Sequence, residues 1–281
     1  MKISYNEATG MKCSTLAQDL VLCEKTGYDY IEIRIDMLRD YLKTHTVDDL
    51  KSFFDNSRIK PHAFNALYVN FATDEQWKQI LSDYKLICEV GEKIGDHYVV
   101  VVPGIFEGPA SYSQKAVFED SVKRLEFLSD MGKDYGMKLG WEPVGDAESC
   151  VRTVREAWDI VKAVDRKDVG VTLDAFNLYV YNKLDNFEDM KMVDVDKVFM
   201  VHMDDSDDKP LKVLLHDHRC FPGDGVLNLK SFVGTLKEMG YDGVFSVETF
   251  RPGYWEKDPE WVIKTGYEKT KRFLEAFYPP A

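Results

Sequence analysis

The chain has 281 residues, of which 44% are hydrophobic and 30% charged, a composition that excludes collagen-like and disordered classes and leaves a soluble globular protein. Its 36 Lys and Arg against 49 Asp and Glu give a net charge of −13, which repels a phosphate backbone, and no cluster of basic residues offsets it. Nucleic acid is therefore not an expected partner. No apolar run approaches the roughly 18 residues that a bilayer crossing needs, so no membrane partner is expected either. The opening Met1–Glu7 turns polar and acidic where a secretory signal would be apolar. The five cysteines Cys13, Cys23, Cys88, Cys150 and Cys220 are scattered without a C-x-x-C pair. They suggest neither a disulfide framework nor a zinc-thiolate site, and they fit a reducing, cytoplasmic location.

In chain order, short β-rich runs alternate with longer segments whose apolar residues recur every three or four positions, the pattern of repeated βα units. The expected strands are Ile3–Tyr5, Tyr30–Arg34, Ile59–Asn65, Tyr98–Val102, Met137–Glu142, Val169–Asp174, Val198–His202 and Val244–Glu248. Between them, helices are expected at 14–26, 46–56, 113–134, 147–163, 228–239 and 258–277, with a weaker one near 184–192. A further helix carries Trp77, Ile80, Leu81, Tyr84, Cys88, Gly91 and Ile94 behind a Thr73/Gln76 capping box. One unit per roughly 35 residues is the size of a strand, a helix and two loops in a (β/α)8 TIM barrel. Continuously apolar strands such as Tyr98–Val102 fit parallel strands covered on both faces. No Gly-x-Gly-x-x-Gly follows the first strand, which disfavours an open dinucleotide-binding sheet. No Ser/Gly linker divides the chain, so residues 1–281 are expected to form a single TIM-barrel domain.

The last four strands each stop on a metal-competent side chain: Glu142, Asp174, His202 and Glu248. In a parallel barrel all strand C-termini open on one face, so these residues converge at one mouth. Three carboxylates brought together repel one another unless a divalent cation removes the cost, and such a cation accepts mixed oxygen and nitrogen ligands. Mn, Co, Mg, Zn and Fe are all compatible with that donor set. The plain alternative for each residue is a polar strand end facing loop solvent.

Other residues are drawn to the mouth. Arg219 lies on the long loop after the seventh strand, beside a Pro222-Gly223 turn suited to aiming its guanidinium inward at a substrate. Glu148 follows Glu142 by six residues near an expected helix start, where a carboxylate also suits the helix dipole. Glu32 and Arg34, two apart on the second strand, face one side, either as an ion pair or as substrate contacts. His45, His62, His97, His216 and His218 read as structural or solvated.

The motifs Trp141-Glu142-Pro143-Val144-Gly145, Leu173-Asp174-Ala175-Phe176-Asn177, Val201-His202-Met203-Asp204-Asp205, Arg219-Cys220-Phe221-Pro222-Gly223-Asp224-Gly225 and Ser246-Val247-Glu248-Thr249-Phe250-Arg251-Pro252 resemble the xylose-isomerase-like TIM-barrel superfamily. Tyr5–Thr9 and Leu22–Arg34 resemble its inosose isomerase (2-keto-myo-inositol isomerase) family, and the likeness runs over essentially the whole chain. The resemblance implies one divalent ion on Glu142, Asp174, His202 and Glu248. It also implies that Glu142 and Glu248 act as catalytic acid and base on opposite faces of a bound keto-polyol or keto-sugar. Proton transfer through a metal-stabilised enediolate then moves a carbonyl or inverts a centre, as in inositol catabolism and other carbohydrate metabolism. One departure stands out: the family has Asp-x-x-His where this chain has Asp174-Ala175-Phe176-Asn177. Asn177 keeps a substrate hydrogen bond but cannot take up a proton near neutral pH.

The best substrate expectation is 2-keto-myo-inositol, converted to 1-keto-D-chiro-inositol. Ketose 3-epimerisation and elimination from a 3-keto-glycoside use the same metal and bases, and a non-catalytic sugar-binding barrel is a further reading. An endonuclease IV type enzyme shares the fold but needs extra histidines on early strands, which here end on Arg34, Asn65 and Val102. The aromatic stretch Phe250–Trp255 is suited to local packing, to closure over the mouth, or to a homo-oligomer contact.

Overall fold

The computed structural model describes residues 1–105, 112–181, 183 and 186–279. Eight parallel strands close into a barrel: β1 (Lys2–Asn6), β2 (Tyr30–Arg34), β3 (Lys60–Tyr68), β4 (Tyr98–Val102), β5 (Lys138–Trp141), β6 (Val169–Asp174), β7 (Val198–Met203) and β10 (Val244–Val247). Around the ring the order is β1-β10-β7-β6-β5-β4-β3-β2, with β1 bonded to both β2 and β10. Two short strands, β8 (Asp205–Ser206) and β9 (Arg219–Cys220), form a separate antiparallel hairpin after β7. The barrel and its eight strands match the reading of the sequence, with ends shifted by up to three residues.

The helices outside the barrel are α1 (Leu16–Thr26), α2 (Ile35–Tyr41), α3 (Val47–Asn56), α4 (Asp74–Ile94), α5 (Gln114–Gly132), α6 (Val154–Val164), α7 (Ala175–Val180), α8 (Leu229–Glu238), α9 (Pro252–Trp255) and α10 (Pro259–Glu275). Thr73 and Gln76 form the expected reciprocal capping box on α4, and Thr15/Gln18, Thr46/Asp49 and Thr153/Glu156 do the same for α1, α3 and α6. That last box corrects one boundary. The helix expected from residue 147 begins only at Val154, because Thr153 and Glu156 satisfy its first N–H groups there. Of the weaker helix expected near 184–192, residues 184 and 185 lie outside the described residues, and Glu188–Met192 is a 3-10 turn. No helix among the described residues is long and apolar enough to cross a membrane.

The main core lies between strands and helices, where Val99, Val101, Leu139, Val171, Leu173 and Val201 are fully buried. Inside the barrel a smaller apolar cluster of Ala63, Val100, Val102, Val144 and Met200 fills the cylinder. The strand register sets Asn6 beside Glu32, Asp174 beside His202, and His202 beside Ser246. A buried layer of polar side chains is thereby held level at the C-terminal ends of the strands, where loops leave room for chemistry.

Candidate metal centre

Glu142, Asp174, His202 and Glu248 each turn one ligand atom into a buried space, and these four atoms lie within 4.8 Å of one another. Strand ladders fix their origins. Glu142 follows β5 and its N–H donates to the Val101 carbonyl (3.0 Å), while Glu248 follows β10 and its N–H donates to the Met203 carbonyl (3.3 Å). Asp174 ends β6 and caps α7, its Oδ1 accepting from the Asn177 N–H at 2.6 Å. His202 lies within β7, its Nδ1 3.3 Å from Glu142 Oε1, 3.3 Å from Glu248 Oε2 and 3.6 Å from Asp174 Oδ2.

The donor set fits a divalent cation. The other imidazole nitrogen of His202, Nε2, sits 3.1 Å from Glu32 Oε1, so a proton on Nε2 leaves the Nδ1 lone pair facing the three carboxylates. A carboxylate behind the imidazole is the usual support of a metal-binding histidine. Glu32 is itself fixed by Asn65 Nδ2 (3.0 Å) and Ser246 Oγ (2.7 Å), both donating to it. Burial pushes its carboxyl up, but the attraction of His202 outweighs this and holds it at about 2. Burial pushes the Asp174 carboxyl up as well, and Arg219 and His202 overcome it, again to about 2. Glu248 is raised to about 7, first by burial and then by Glu142 and Asp174, against the pull of His202 and Arg219. Burial lowers the basicity of His202, yet Glu248, Glu32 and Glu142 raise it well above the ordinary imidazole value. The pocket thus concentrates negative potential around one point.

Arg219 is buried over this cluster. Its Nη1 donates to Asp174 Oδ2 (2.7 Å), Asp204 Oδ2 (2.8 Å) and Glu248 Oε2 (2.8 Å), and its Nη2 donates to Asn177 Oδ1 (3.3 Å). The Asn177 amide nitrogen donates to Glu142 Oε1 at 2.9 Å. Asn177 therefore links a metal-competent carboxylate to the guanidinium. Gly145 belongs to the same packing: a Cβ there would overlap the Asn177 carbonyl. Behind Glu248, Asn6 Nδ2 (2.9 Å) and Asn65 Nδ2 (3.0 Å) both donate to Oε1, leaving Oε2 for the centre.

Two expected residues stand apart from this cluster. Glu148 is exposed in a turn, not at a helix start, because α6 begins six residues later. Arg34 does not pair with Glu32. Its Nε and Nη2 donate to Asp36 (2.9 and 3.0 Å), while its backbone N–H donates to Glu7. His45 stacks on Tyr41, His97 meets the Tyr135 carbonyl, His218 accepts from the Leu215 N–H, and His62 is buried beside Tyr30. These four are structural, as expected. His216 is not remote from the site: its Nδ1 lies 2.9 Å from Arg219 Nη2.

Sequence reasoning missed Glu32 as the support of His202, and it missed Asn6, Asn65, Asp204 and His216. For Asn6 and Asn65 a signal existed, since Asn6 directly follows the expected first strand and Asn65 ends the expected third, as Asp174 ends the sixth.

Barrel and cluster together define a (β/α)8 protein with a buried donor set suited to a divalent metal. Residues 20–269 match the family model of the xylose isomerase-like TIM barrel, and the chain belongs to that family. It is 40% identical to an inosose isomerase of Halalkalibacterium halodurans over 96% of this chain and 95% of that one. It is 39% identical to an inosose isomerase of Bacillus subtilis over 99% of each. A crystal structure of an IolI protein with a bound zinc atom superimposes with a TM-score of 0.94 at 37% identity, covering 100% of both chains.

Proposed function

We propose that this chain is a divalent-metal-dependent isomerase that converts 2-keto-myo-inositol to 1-keto-D-chiro-inositol. The observation that carries this reading is the buried group of Glu142, Asp174, His202 and Glu248, in a chain about 40% identical to inosose isomerases along its length. Those four side chains would hold the ion, with His202 ligating through Nδ1. When bound, the ion supplies Lewis acidity at the substrate's carbonyl oxygen, which makes the adjacent C–H acidic.

The remaining work falls to side chains. Glu248, with Oε1 held by two asparagine amides, takes the proton from the carbon next to the carbonyl. Glu142, oriented by Asn177, returns a proton to the former carbonyl carbon while the hydroxyl proton passes from the neighbouring oxygen to the former carbonyl oxygen, and the carbonyl has moved by one position. β5 and β10 are separated around the ring by β6 and β7, so the two carboxylates reach the mouth from different sides. Arg219 and Asn177 orient the substrate oxygens, in place of the imidazole that the family resemblance implies at position 177. Arg34, on the rim, is a further substrate contact. We read residues 1–281 as a single domain.

The test is incubation of metal-reconstituted protein with 2-keto-myo-inositol, ketohexoses and 3-keto-glycosides in deuterated water. Isomerised inosose carrying deuterium supports the reading. Turnover of ketohexoses or 3-keto-glycosides alone would replace it with epimerisation or elimination. In Glu248→Gln, metal retention with loss of α-proton exchange identifies the base, and exchange at the parent rate removes Glu248 from that role.

A further inference from the structure

Arg219 gives its two terminal nitrogens different partners. Nη1 is committed to three carboxylates, and Nη2 is held by Asn177 Oδ1 and by His216 Nδ1. A guanidinium has donors and no acceptor. The 2.9 Å contact from Nη2 to Nδ1 is therefore a hydrogen bond only if Nδ1 carries a lone pair, which puts the single ring proton of a neutral imidazole on Nε2. That atom lies 2.8 Å from Asp146 Oδ2, which accepts. The aspartate is well suited to this. Burial pushes its carboxyl up, but the hydrogen bond from His216, with the charges of Arg219 and Arg152, brings it below the usual carboxylate range. Phe176 and Phe250 close the arrangement on both residues. The His216 ring lies 5.7 and 5.8 Å from their centroids, and the guanidinium carbon of Arg219 lies 4.9 and 5.2 Å from them.

We propose that Asp146 and His216 are a positioning pair for Arg219. Asp146 selects the Nε2–H tautomer of His216, and the Nδ1 lone pair so exposed fixes the plane of the guanidinium over the mouth. Three connections at the mouth are tied together by this chain of bonds: the one after β5, through Asp146; the one after β6, through Asn177 of α7; and the one after β7, through His216 and through Arg219 of β9. Neither His216 nor Asp146 touches the four metal-competent side chains in any hydrogen bond of the described residues. Their effect on turnover runs through Arg219 alone. The kinetic part of the inference rests on Arg219 as a substrate-orienting residue, whereas the tautomer does not depend on which reaction is catalysed.

The experiment has two arms on the full chain. In the first, 15N spectra of the imidazoles are recorded for the metal-reconstituted parent, for Asp146→Ala and for His216→Asn, whose missing signal assigns His216. The expected result is an Nε2–H tautomer in the parent and a shift toward Nδ1–H in Asp146→Ala. In the second, kcat and KM for 2-keto-myo-inositol are measured at saturating metal. His216→Ala is expected to raise KM about tenfold or more, the factor set by one lost hydrogen bond to a charged group, with metal content unchanged. His216→Asn should recover most of the loss, because its amide oxygen offers an acceptor close to the place of Nδ1. An Nδ1–H tautomer in the parent overturns the proposal, and so does an Asn variant as impaired as the Ala variant. A parent inactive on inososes but carrying the Nε2–H tautomer would defeat the isomerase reading and leave the positioning pair standing.

Discussion

Glu32 carries no ligand atom for the proposed ion, yet it holds the proton that leaves His202 Nδ1 available. Replacing it with Gln keeps the size and removes the charge that favours the Nε2–H. We expect metal affinity to fall about 10- to 100-fold, the usual cost of losing such support, measured by competition with a chromophoric chelator. Asp174→Ala should be more severe and lose most of the metal, since it removes a ligand and a charge together. Full stoichiometric metal at parent affinity in that variant would overturn the ligand assignment. A different residue-scale effect belongs to Glu7 and Asp19, both fully buried. Glu7 Oε2 accepts the Arg34 N–H at 2.8 Å, while Glu7 Oε1 and both Asp19 oxygens find no donor. Burial raises the Asp19 carboxyl to about 7, outweighing the lowering effect of the neighbouring Ser14 and Glu7 side chains. A folded-state value above the unfolded one, about 3.9, stabilises the fold below pH 4, and that contribution disappears as pH rises through about 7. Asp19→Asn should therefore gain in Tm relative to the parent between pH 5 and pH 8, by about 2 °C or more. An equal difference at both pH values would show that Asp19 does not hold a proton in the fold.

At the scale of elements, the β8–β9 hairpin places Arg219. Asp205 on β8 accepts four backbone N–H groups: Gly223 and Gly225 on Oδ2 (3.0 Å each), Leu227 (2.9 Å) and Ser206 (2.8 Å) on Oδ1. Gly225 is required there because a Cβ would overlap the Ser206 carbonyl and the Asp205 carboxylate. Asp205→Ala should cost about 2 kcal/mol or more of stability through the unsatisfied donors, read in urea unfolding. It should also lower kcat/KM while leaving metal content intact. Asp205→Asn is not expected to rescue, since its amide nitrogen would face N–H donors. Helices of ten residues or more were legible in the sequence because nearly three turns or more expose a period. The helices α2, α7 and α9, of seven, six and four residues, were not, since one or two turns carry no detectable repeat. Two of them lie at the mouth: α7 begins at the Asp174 cap, and α9 seats Tyr254 on Phe221 with ring centroids 4.2 Å apart. Trp255 of α9 donates to the Ala8 carbonyl at 3.2 Å, which ties the aromatic stretch after β10 to the turn after β1.

For the whole molecule, an ion held by Glu142, Asp174, His202 and Glu248 would tie together side chains from four of the eight barrel strands or their ends. Binding to the folded state alone stabilises it by about 2.7 kcal/mol at a hundredfold excess over Kd. We expect Tm to rise by roughly 5 °C or more on adding the preferred metal, to fall back with chelator, and to show no response in Asp174→Ala. A metal-independent melting curve in the parent would contradict the site. The net charge of −13 bears on the same scale. A cation is drawn to the mouth by the field, and phosphate polymers are repelled.

The sequence by itself determined the barrel and four of the residues at its centre. Both signals are local: an apolar run records burial on both faces of a strand, and the polar residue that ends it records where the strand leaves the core. Val198–His202 and Val169–Asp174 carry the two signals in six residues or fewer. What only the tertiary structure decided is who supports whom. Glu32 meets His202 across 170 positions of sequence, Asn65 meets Glu248 across 183, and Glu142 meets Asn177 across 35. No periodicity relates such partners, and an Asn, Asp or His in a loop reads the same whether water or a guanidinium surrounds it. His216 looked solvated for that reason. Closure of the barrel brings the loops after β5, β6 and β7 together, and desolvation there leaves each polar atom only the partners that the fold supplies.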